Sequence, residues 1–271
     1  MKKFIKRFIL FILILGIFFV CYYTYFLSPD DYYFAQYQYE STKISSKLDG
    51  CKIAFISDIN LTEEQGLTKL NQAIKELNQY PFDMIIFGGD LYDGNVFNAK
   101  KISSALKKIS CKYGKFAVLG DKDKQASKEI TQILNNGGFE VINNENRTLY
   151  YKETTFQLIC CSQNKDISKL KIKDNNVNIC ITHQPDSFIQ HQGKIDLQIS
   201  GHSYGGGIYI PLYGPLTLMD GARAYNHGTY EQGASTLLVS NGFSGPASSP
   251  YKFFSRNQIN FITLKTSTKN E

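Results

Sequence analysis

Three absences frame the reading of this 271-residue chain. Its arginines form no cluster. Lys and Arg outnumber Asp and Glu by 30 to 24, and a net charge of +6 spread over this length argues against a nucleic-acid partner and leans only weakly toward anionic surfaces. Its six cysteines lack the spacing of a disulfide framework. Cys21 lies in an apolar run, the other five make an odd count, and the adjacent Cys160 and Cys161 would point to opposite faces of a strand. Cys160, Cys161 and Cys180 sit among apolar residues, where a free thiol behaves as a small hydrophobe. The third absence is of strongly charged, apolar-poor tracts. With 20% charged, 14% aromatic and 42% hydrophobic residues, the chain is no disordered tail, and its length allows one sizeable domain or two small ones with a full core.

One long apolar run is present. Lys2, Lys3, Lys6 and Arg7 precede an uncharged stretch over residues 8–27, whose 20 residues match the ~20 a helix needs to cross the hydrocarbon core. Asp30 and Asp31 follow it, and this asymmetry predicts a cytoplasmic amino end with everything after the helix outside. Tyr22, Tyr23 and Tyr25 suit the outer interface. A cleaved signal peptide would need a shorter run and small residues before the cut, whereas 20–26 is bulky. The expected organisation is a basic tip (1–7), an uncleaved signal anchor (8–27), a Tyr-, Gln- and Ser-rich stalk without clear period (28–47), one domain (48–266) and a tail (267–271).

From Gly50 onward one pattern repeats: a short apolar run, then a burst of Asp, His, Asn or Gly. The runs at 52–56, 84–87, 116–119, 177–181, 197–199, 236–239 and 259–264 suit strands buried on both faces. Thr62-Glu63-Glu64-Gln65 reads as a capping box, and Leu67, Leu70, Ile74 and Leu77 follow at helical spacing. Ile102, Leu106 and Ile109 repeat that period, as do Ile130 and Leu134 before Gly137. The opening half is therefore βαβα and the second half strand-rich, which predicts an α/β sandwich with helices layered on central β-sheets.

The polar bursts are Asp58-Ile59-Asn60, Gly89-Asp90-Leu91-Tyr92-Asp93, Gly120-Asp121-Lys122-Asp123, Thr182-His183-Gln184-Pro185 and Gly201-His202-Ser203-Tyr204-Gly205-Gly206. A single Asp after a strand is usually a turn or helix cap. Five such bursts, each closing a strand, predict ligands gathered into one crevice at the carboxyl ends.

In order and spacing these motifs resemble those of the calcineurin-like metallophosphoesterases, over residues 52 to about 264, and most closely the bacterial membrane-associated branch. The family pattern runs D-x-H, G-D-x-x-D, G-N-H-D, H-x-P and G-H-x-H, with two metals bridged by an aspartate and a hydroxide. The resemblance implies that Asp90 is the bridging aspartate, Asp58 the carboxylate of the first metal, and His183 and His202 the imidazoles of the second. Asp121 stands where the family has a ligating asparagine. It implies one or two divalent ions, with donors that suit Mn, Fe or Zn.

Three family histidines are replaced: Asn60 and Tyr204 occupy ligand positions of the first metal, and Lys122 that of the histidine that protonates the leaving group or holds the phosphate. All three losses fall on the first metal and the acid. In one reading Lys122 stands in for the missing ion, offsetting Asp58 and Asp121, and Lys122, Asp58 and Asp90 carry an altered hydrolysis of a phosphoester or pyrophosphate of an envelope or lipid molecule. In the other the chain is a pseudoenzyme, a silent module that binds an anionic ligand or a partner.

Smaller signals complete the set. Gly201-His202-Ser203-Tyr204-Gly205 also fits the G-x-S-x-G serine-hydrolase elbow, with Asp220 and His227 following in order. The elbow needs a helix next, and Gly206-Gly207 is a poor start for one. Asp93 is expected to cap or orient the loop at Asp90, and Asp123 to hold Lys122 or cap the helix near Ser127. His191 reads as a surface or packing residue and His227 as a candidate for lining the crevice. Arg223 and Arg256 read as solvated or phosphate-facing.

Overall fold

Apolar runs ended by glycine and aspartate become buried strands here because their side chains meet core on both faces and the polar residues leave the ladder together. The computed structural model describes residues 1–161, 167, 170, 172 and 175–267. The N-terminal run forms helix α1 (Lys2–Tyr22), extended by a wider π-helical turn over Tyr23–Leu27. This helix buries no residue of its own, and Lys2–Leu27 is long and apolar enough to cross a membrane.

The expected stalk is not one. Residues 28–47 carry a ten-residue strand, β1 (Tyr32–Ser41), parallel to the last strand of the chain. Tyr37 and Tyr39 pack on the core between the sheets, while Tyr32 and Phe34 pack on the opposite, helix-covered face. Aromatic residues on both faces blur the alternation, so the strand has no readable period. The expected tail also begins inside the fold, since Ser267 donates to the Ser41 carbonyl at 3.2 Å; residues 268–271 lie outside the described residues.

The next elements are β2 (Lys52–Ile56), α2 (Glu64–Leu77), β3 (Met84–Phe87), α3 (Ala99–Lys107), β4 (Lys115–Ala117), α4 (Ser127–Asn136) and β5 (Glu140–Val141). They alternate as the periodicities predict. The capping box does not form: Glu63, not Thr62, is the N-cap of α2, and no side chain caps it. The second half contributes β6 (Glu145–Tyr151), β7 (Thr154–Cys161), β8 (Asn178–Thr182), the short α5 (Phe188–His191), β9 (Leu197–Ser200), a hairpin of β10 (Tyr209–Ile210) and β11 (Gly214–Pro215), β12 (Gly228–Gln232), β13 (Ser235–Val239) and β14 (Asn257–Thr266).

Two six-stranded sheets result, ordered β1-β14-β2-β3-β4-β5 and β12-β13-β9-β8-β7-β6. In the first, β2 to β5 are parallel and β14 runs antiparallel to β2; in the second, β7, β8, β9 and β13 are parallel. The sheets face each other across a core that includes Ile53, Phe55, Ile86, Phe156, Leu158 and Leu238. Helices α2, α3 and α4 cover the outer face of the first sheet, and Phe188 and Ile195 pack on that of the second. Cys160 enters the inter-sheet core and Cys161 the outer face, as neighbours on one strand must.

Tyr39 is the buried aromatic side chain by which the edge strand joins the inter-sheet core, with the half-buried Tyr37 packed against the same core. Tyr39→Ala is expected to cost about 3 kcal/mol, a fall in Tm on the order of 10 °C. A thermal melt of the full chain in detergent checks it; an unchanged Tm would show that β1 is an ornament of the fold.

Candidate metal centre

The strands β2, β3 and β4 of one sheet and β8 and β9 of the other end along the same side of the sandwich. Within four residues of those ends come Asp58, Asp90, Asp121, His183 and His202, one after each strand. To turn these side chains inward the chain accepts left-handed backbone at non-glycine positions: Asp58 (φ 55°), Asn60 (50°), Asp90 (61°), His202 (67°) and Tyr204 (53°). Such conformations each cost about 1–3 kcal/mol and persist where the surroundings enforce them. The motif glycines supply the space. A Cβ at Gly120 would lie 2.1 Å from Asp90 Oδ1, and one at Gly201 2.5 Å from Asp58 Oδ2.

The ligand atoms of Asp90, His183 and His202 all lie within 4.8 Å of one another, and all three residues are buried. His183 Nε2 sits 3.2 Å from Asp90 Oδ2 and 4.0 Å from Asp58 Oδ1, and His202 Nδ1 is 3.4 Å from Asp121 Oδ2. Each imidazole is aimed from behind. His183 Nδ1 donates to the Gly88 carbonyl at 2.7 Å, and His202 Nε2 to the Asp220 carbonyl at 2.7 Å. The opposite ring nitrogens, His183 Nε2 and His202 Nδ1, are buried without a hydrogen-bond partner among the described residues. Two lone pairs facing carboxylates require a positive charge between them, and a divalent cation fits this donor set. The same carboxylates also favour a proton on His183: burial lowers its pKa, but Asp90 and Asp58 outweigh burial and push it to about 10. Burial raises Asp58; burial acts likewise on Asp90, but His183 and the Lys122 N–H hold it below the usual carboxylate range.

The surrounding contacts correct three expectations. Asp123 neither holds Lys122 nor caps a helix: its carboxylate accepts from the backbone N–H groups of Asp90, Leu91 and Gly120 at 2.8–2.9 Å. Burial and Asp90 raise its pKa to about 6. Asp93 takes the role given to Asp123, receiving Lys122 Nζ at 2.6 Å and the Ala247 N–H at 2.6 Å. Lys122 therefore does not pair with Asp58 or Asp121; its ammonium bridges Asp93 and Asn60 Oδ1, the latter at 2.9 Å. Asp121 instead receives Gln184 Nε2 at 2.7 Å and faces Lys124 at 3.1 Å.

At the first-metal end, Asn60 Nδ2 donates to the carbonyls of Asp58 and Gly245, each at 3.3 Å, and lies 3.5 Å from Tyr204 Oη. Burial, with Asp58 and Asp90 beside it, raises the Tyr204 pKa far above its ordinary value, so this phenol stays neutral. Lys122 and Lys252 flank its ring, their Nζ atoms 5.4 and 5.7 Å from the centroid. Lys252, fully buried and donating to the Asn241 carbonyl, escapes motif reading because it lies beyond the last motif. Its signal is a lone lysine in Pro250-Tyr251-Lys252-Phe253-Phe254. Burial lowers its pKa to about 7.

The remaining candidates lie apart from this chemistry. Ser203 Oγ accepts from the Gly205 N–H at 3.1 Å inside a short 3-10 turn, so no helix follows it. The Asp220 side chain is 91% exposed and paired with Arg223. His227 stacks on Tyr209, His191 is buried against Gln198, and Arg256 binds Asp31.

A family model for calcineurin-like phosphoesterases matches residues 51–205. The uncharacterized metallophosphoesterase YkuE of Bacillus subtilis is 26% identical over 256 residues, covering 90% of this chain and 89% of that protein. A zebrafish (Danio rerio) transmembrane protein with metallophosphoesterase domain is 23% identical, covering 82% of this chain and 55% of its own length. The phosphodiesterase YaeI of Escherichia coli is 27% identical over 60% of this chain and 64% of that protein.

Two outcomes are expected. Gly120→Ala drives a methyl into Asp90 and should abolish tight binding of a divalent ion, read by isothermal titration with Mn2+ or Zn2+, while far-UV dichroism stays native. Lys252 holds fewer protons folded than unfolded between about 7 and 10.5, so it adds stability as pH rises through that window. Lys252→Met should therefore look more favourable, relative to the native chain, at about pH 6 than at about pH 9 in urea melts; a pH-independent difference would contradict it.

Proposed function

The chain belongs to the calcineurin-like phosphoesterase family, and on that premise we propose a single-pass membrane protein whose extracytoplasmic domain hydrolyses a phosphoester or pyrophosphate of an envelope or lipid molecule with one divalent ion. The observation that carries this reading is the pair of buried imidazole nitrogens, His183 Nε2 and His202 Nδ1, which face the carboxylates of Asp90 and Asp121 with no hydrogen-bond partner among the described residues. Asp58, Asp90, Asp121, His183 and His202 would hold Mn, Fe or Zn. Such an ion supplies Lewis acidity toward a phosphoryl group and a source of hydroxide near neutral pH.

The chain's own residues do the rest. Asp123 accepts from three backbone N–H groups at Asp90, Leu91 and Gly120, which fixes the loop that presents the Asp90 carboxylate. Lys122, held by Asp93 and Asn60, puts an ammonium at the first-metal end, where it grips a phosphate oxygen as a point charge. A cavity of about 270 Å3, lined by Tyr204, Gly207, Ile208, Leu216, Met219 and Tyr251, adjoins that end and suits an amphiphile's apolar part. The helix over Lys2–Leu27, the relative named as a transmembrane protein and the relative named as a phosphodiesterase support the anchor and the reaction class. A second reading, a silent binding module, draws on the same first-metal end: Lys122 is already ion-paired to Asp93 and Tyr204 is neutral.

Metal analysis of the full chain, purified in detergent without chelator, separates them when combined with turnover of an aryl phosphodiester. One ion per chain is expected, lost in His183→Ala and kept in Lys122→Ala, whose kcat/KM falls about 10²–10³-fold. Asn60→His with Lys122→His and Tyr204→His should raise the count to two. A retained ion with no hydrolysis in the native chain would favour the binding module; no ion at all would sink the metal-dependent hydrolysis and leave a fold retained for binding.

A further inference from the structure

Outside the N-terminal helix, Tyr150 and Ile189 are exposed singly, whereas four strongly exposed apolar side chains gather on and beside one hairpin. From Ser203 to Met219 the chain carries no charged residue. The β10–β11 turn and its flank present Leu212, fully exposed, with Tyr213 78%, Leu216 56% and Leu218 42% exposed. Phe254, 59% exposed, joins them, because Tyr209 N donates to the Phe253 carbonyl at 2.8 Å and Phe253 N to the Gly207 carbonyl at 3.2 Å. Leu212 and Phe254 hold these positions with left-handed backbone, φ 69° and 56°, a cost that no core contact of their side chains offsets. Contiguous apolar surface of this kind marks a contact.

The anchor fastens to the same short segment that carries Phe254. Tyr25 packs on Tyr251 with ring centroids 4.3 Å apart, and Lys252 N donates to Ser28 Oγ at 2.9 Å. Asn257 Nδ2 binds the carbonyls of Ser28 and Asp31 at 3.0 and 2.9 Å, and Arg256 grips Asp31 at 2.7 Å. No slack separates the last apolar residue of the helix, Leu27, from the body of the domain. We propose that the β10–β11 hairpin and Phe254 form a second membrane contact, seated in the outer leaflet beside the anchor. This rests on the reading of Lys2–Leu27 as membrane-spanning. Leucine and tyrosine on an uncharged hairpin suit the boundary between headgroups and acyl chains. Seated there, the cavity beside Tyr204 opens at the lipid surface, so a phosphorylated amphiphile reaches the metal centre without leaving the bilayer.

The chain contains no tryptophan, so one introduced residue reports its own depth. The full chain is reconstituted into vesicles whose lipids are brominated high on the acyl chain, with Tyr213→Trp as the test, Phe11→Trp as the anchor reference and Tyr150→Trp, on β6 and also exposed, as the aqueous reference. Tyr213→Trp should lose emission about twofold and shift to the blue, as expected for a ring about 5–10 Å below the headgroup boundary. Quenching no greater than that of Tyr150→Trp, with Phe11→Trp quenched, overturns the second contact and leaves the anchor intact. A blue shift without quenching assigns the hairpin to a protein partner or a second copy instead. If Phe11→Trp also escapes quenching, the anchor reading falls and takes this proposal with it.

Discussion

Burying like charges at one place is the constraint on which the rest of this structure turns. Asp58, Asp90 and Asp121 converge at the ends of three neighbouring strands, and Asp123 stands directly behind them. In a low-dielectric interior that arrangement is tolerable only if backbone N–H groups, imidazoles and cations surround it. Each local peculiarity answers that demand. The left-handed turns aim N–H groups at carboxylates, as His202 N does at Asp58, and the glycines let chain and carboxylate approach closely. The two histidines keep a lone pair toward the cluster because their other nitrogens are committed to carbonyls.

The same logic accounts for the altered first-metal end. Where the family resemblance places the first metal, the described residues hold the Lys122 ammonium on Asp93 and Asn60, with the Lys252 amine behind the Tyr204 ring. Positive charge is still delivered, now covalently attached to the chain. A tethered ammonium holds a phosphate oxygen by charge alone, without the Lewis acidity or exchangeable ligand positions of a metal, which is why the chemistry is proposed as altered rather than simply weakened.

How much of this was legible in the sequence follows from the range of the forces involved. Strands β2, β3, β8, β9, β13 and β14 were readable because both faces are buried and the apolar runs are continuous, and α2 to α4 because one face is. The positions of the metal-centre residues were readable because they sit two or three residues after those runs. Strand β1 was hidden: its partner lies more than 200 residues away, and its aromatics serve both faces. The roles of Asp93 and Asp123 were exchanged because loop geometry decides which carboxylate meets backbone N–H groups and which meets Lys122. Lys252 belongs to no motif, since its place beside Tyr204 is set wholly by tertiary packing.

Residues 251–257 then acquire a meaning that none has alone. Within one segment, Tyr251 receives the end of the N-terminal helix, Lys252 sets a buried amine behind Tyr204 at the candidate metal centre, Phe253 pairs with the apolar hairpin, and Asn257 begins the strand that carries β1. Its fixed hydrogen bonds leave the domain little freedom to tumble on its anchor. On the proposed reading, orientation toward the bilayer follows from the fold itself, and the proposed substitution of the Lys122 ammonium for an ion falls at the end of the site nearest that segment. A site that receives its substrate from a surface at fixed height gains effective concentration from the tether rather than from affinity for the phosphate, so it can work with fewer cations around the phosphoryl group.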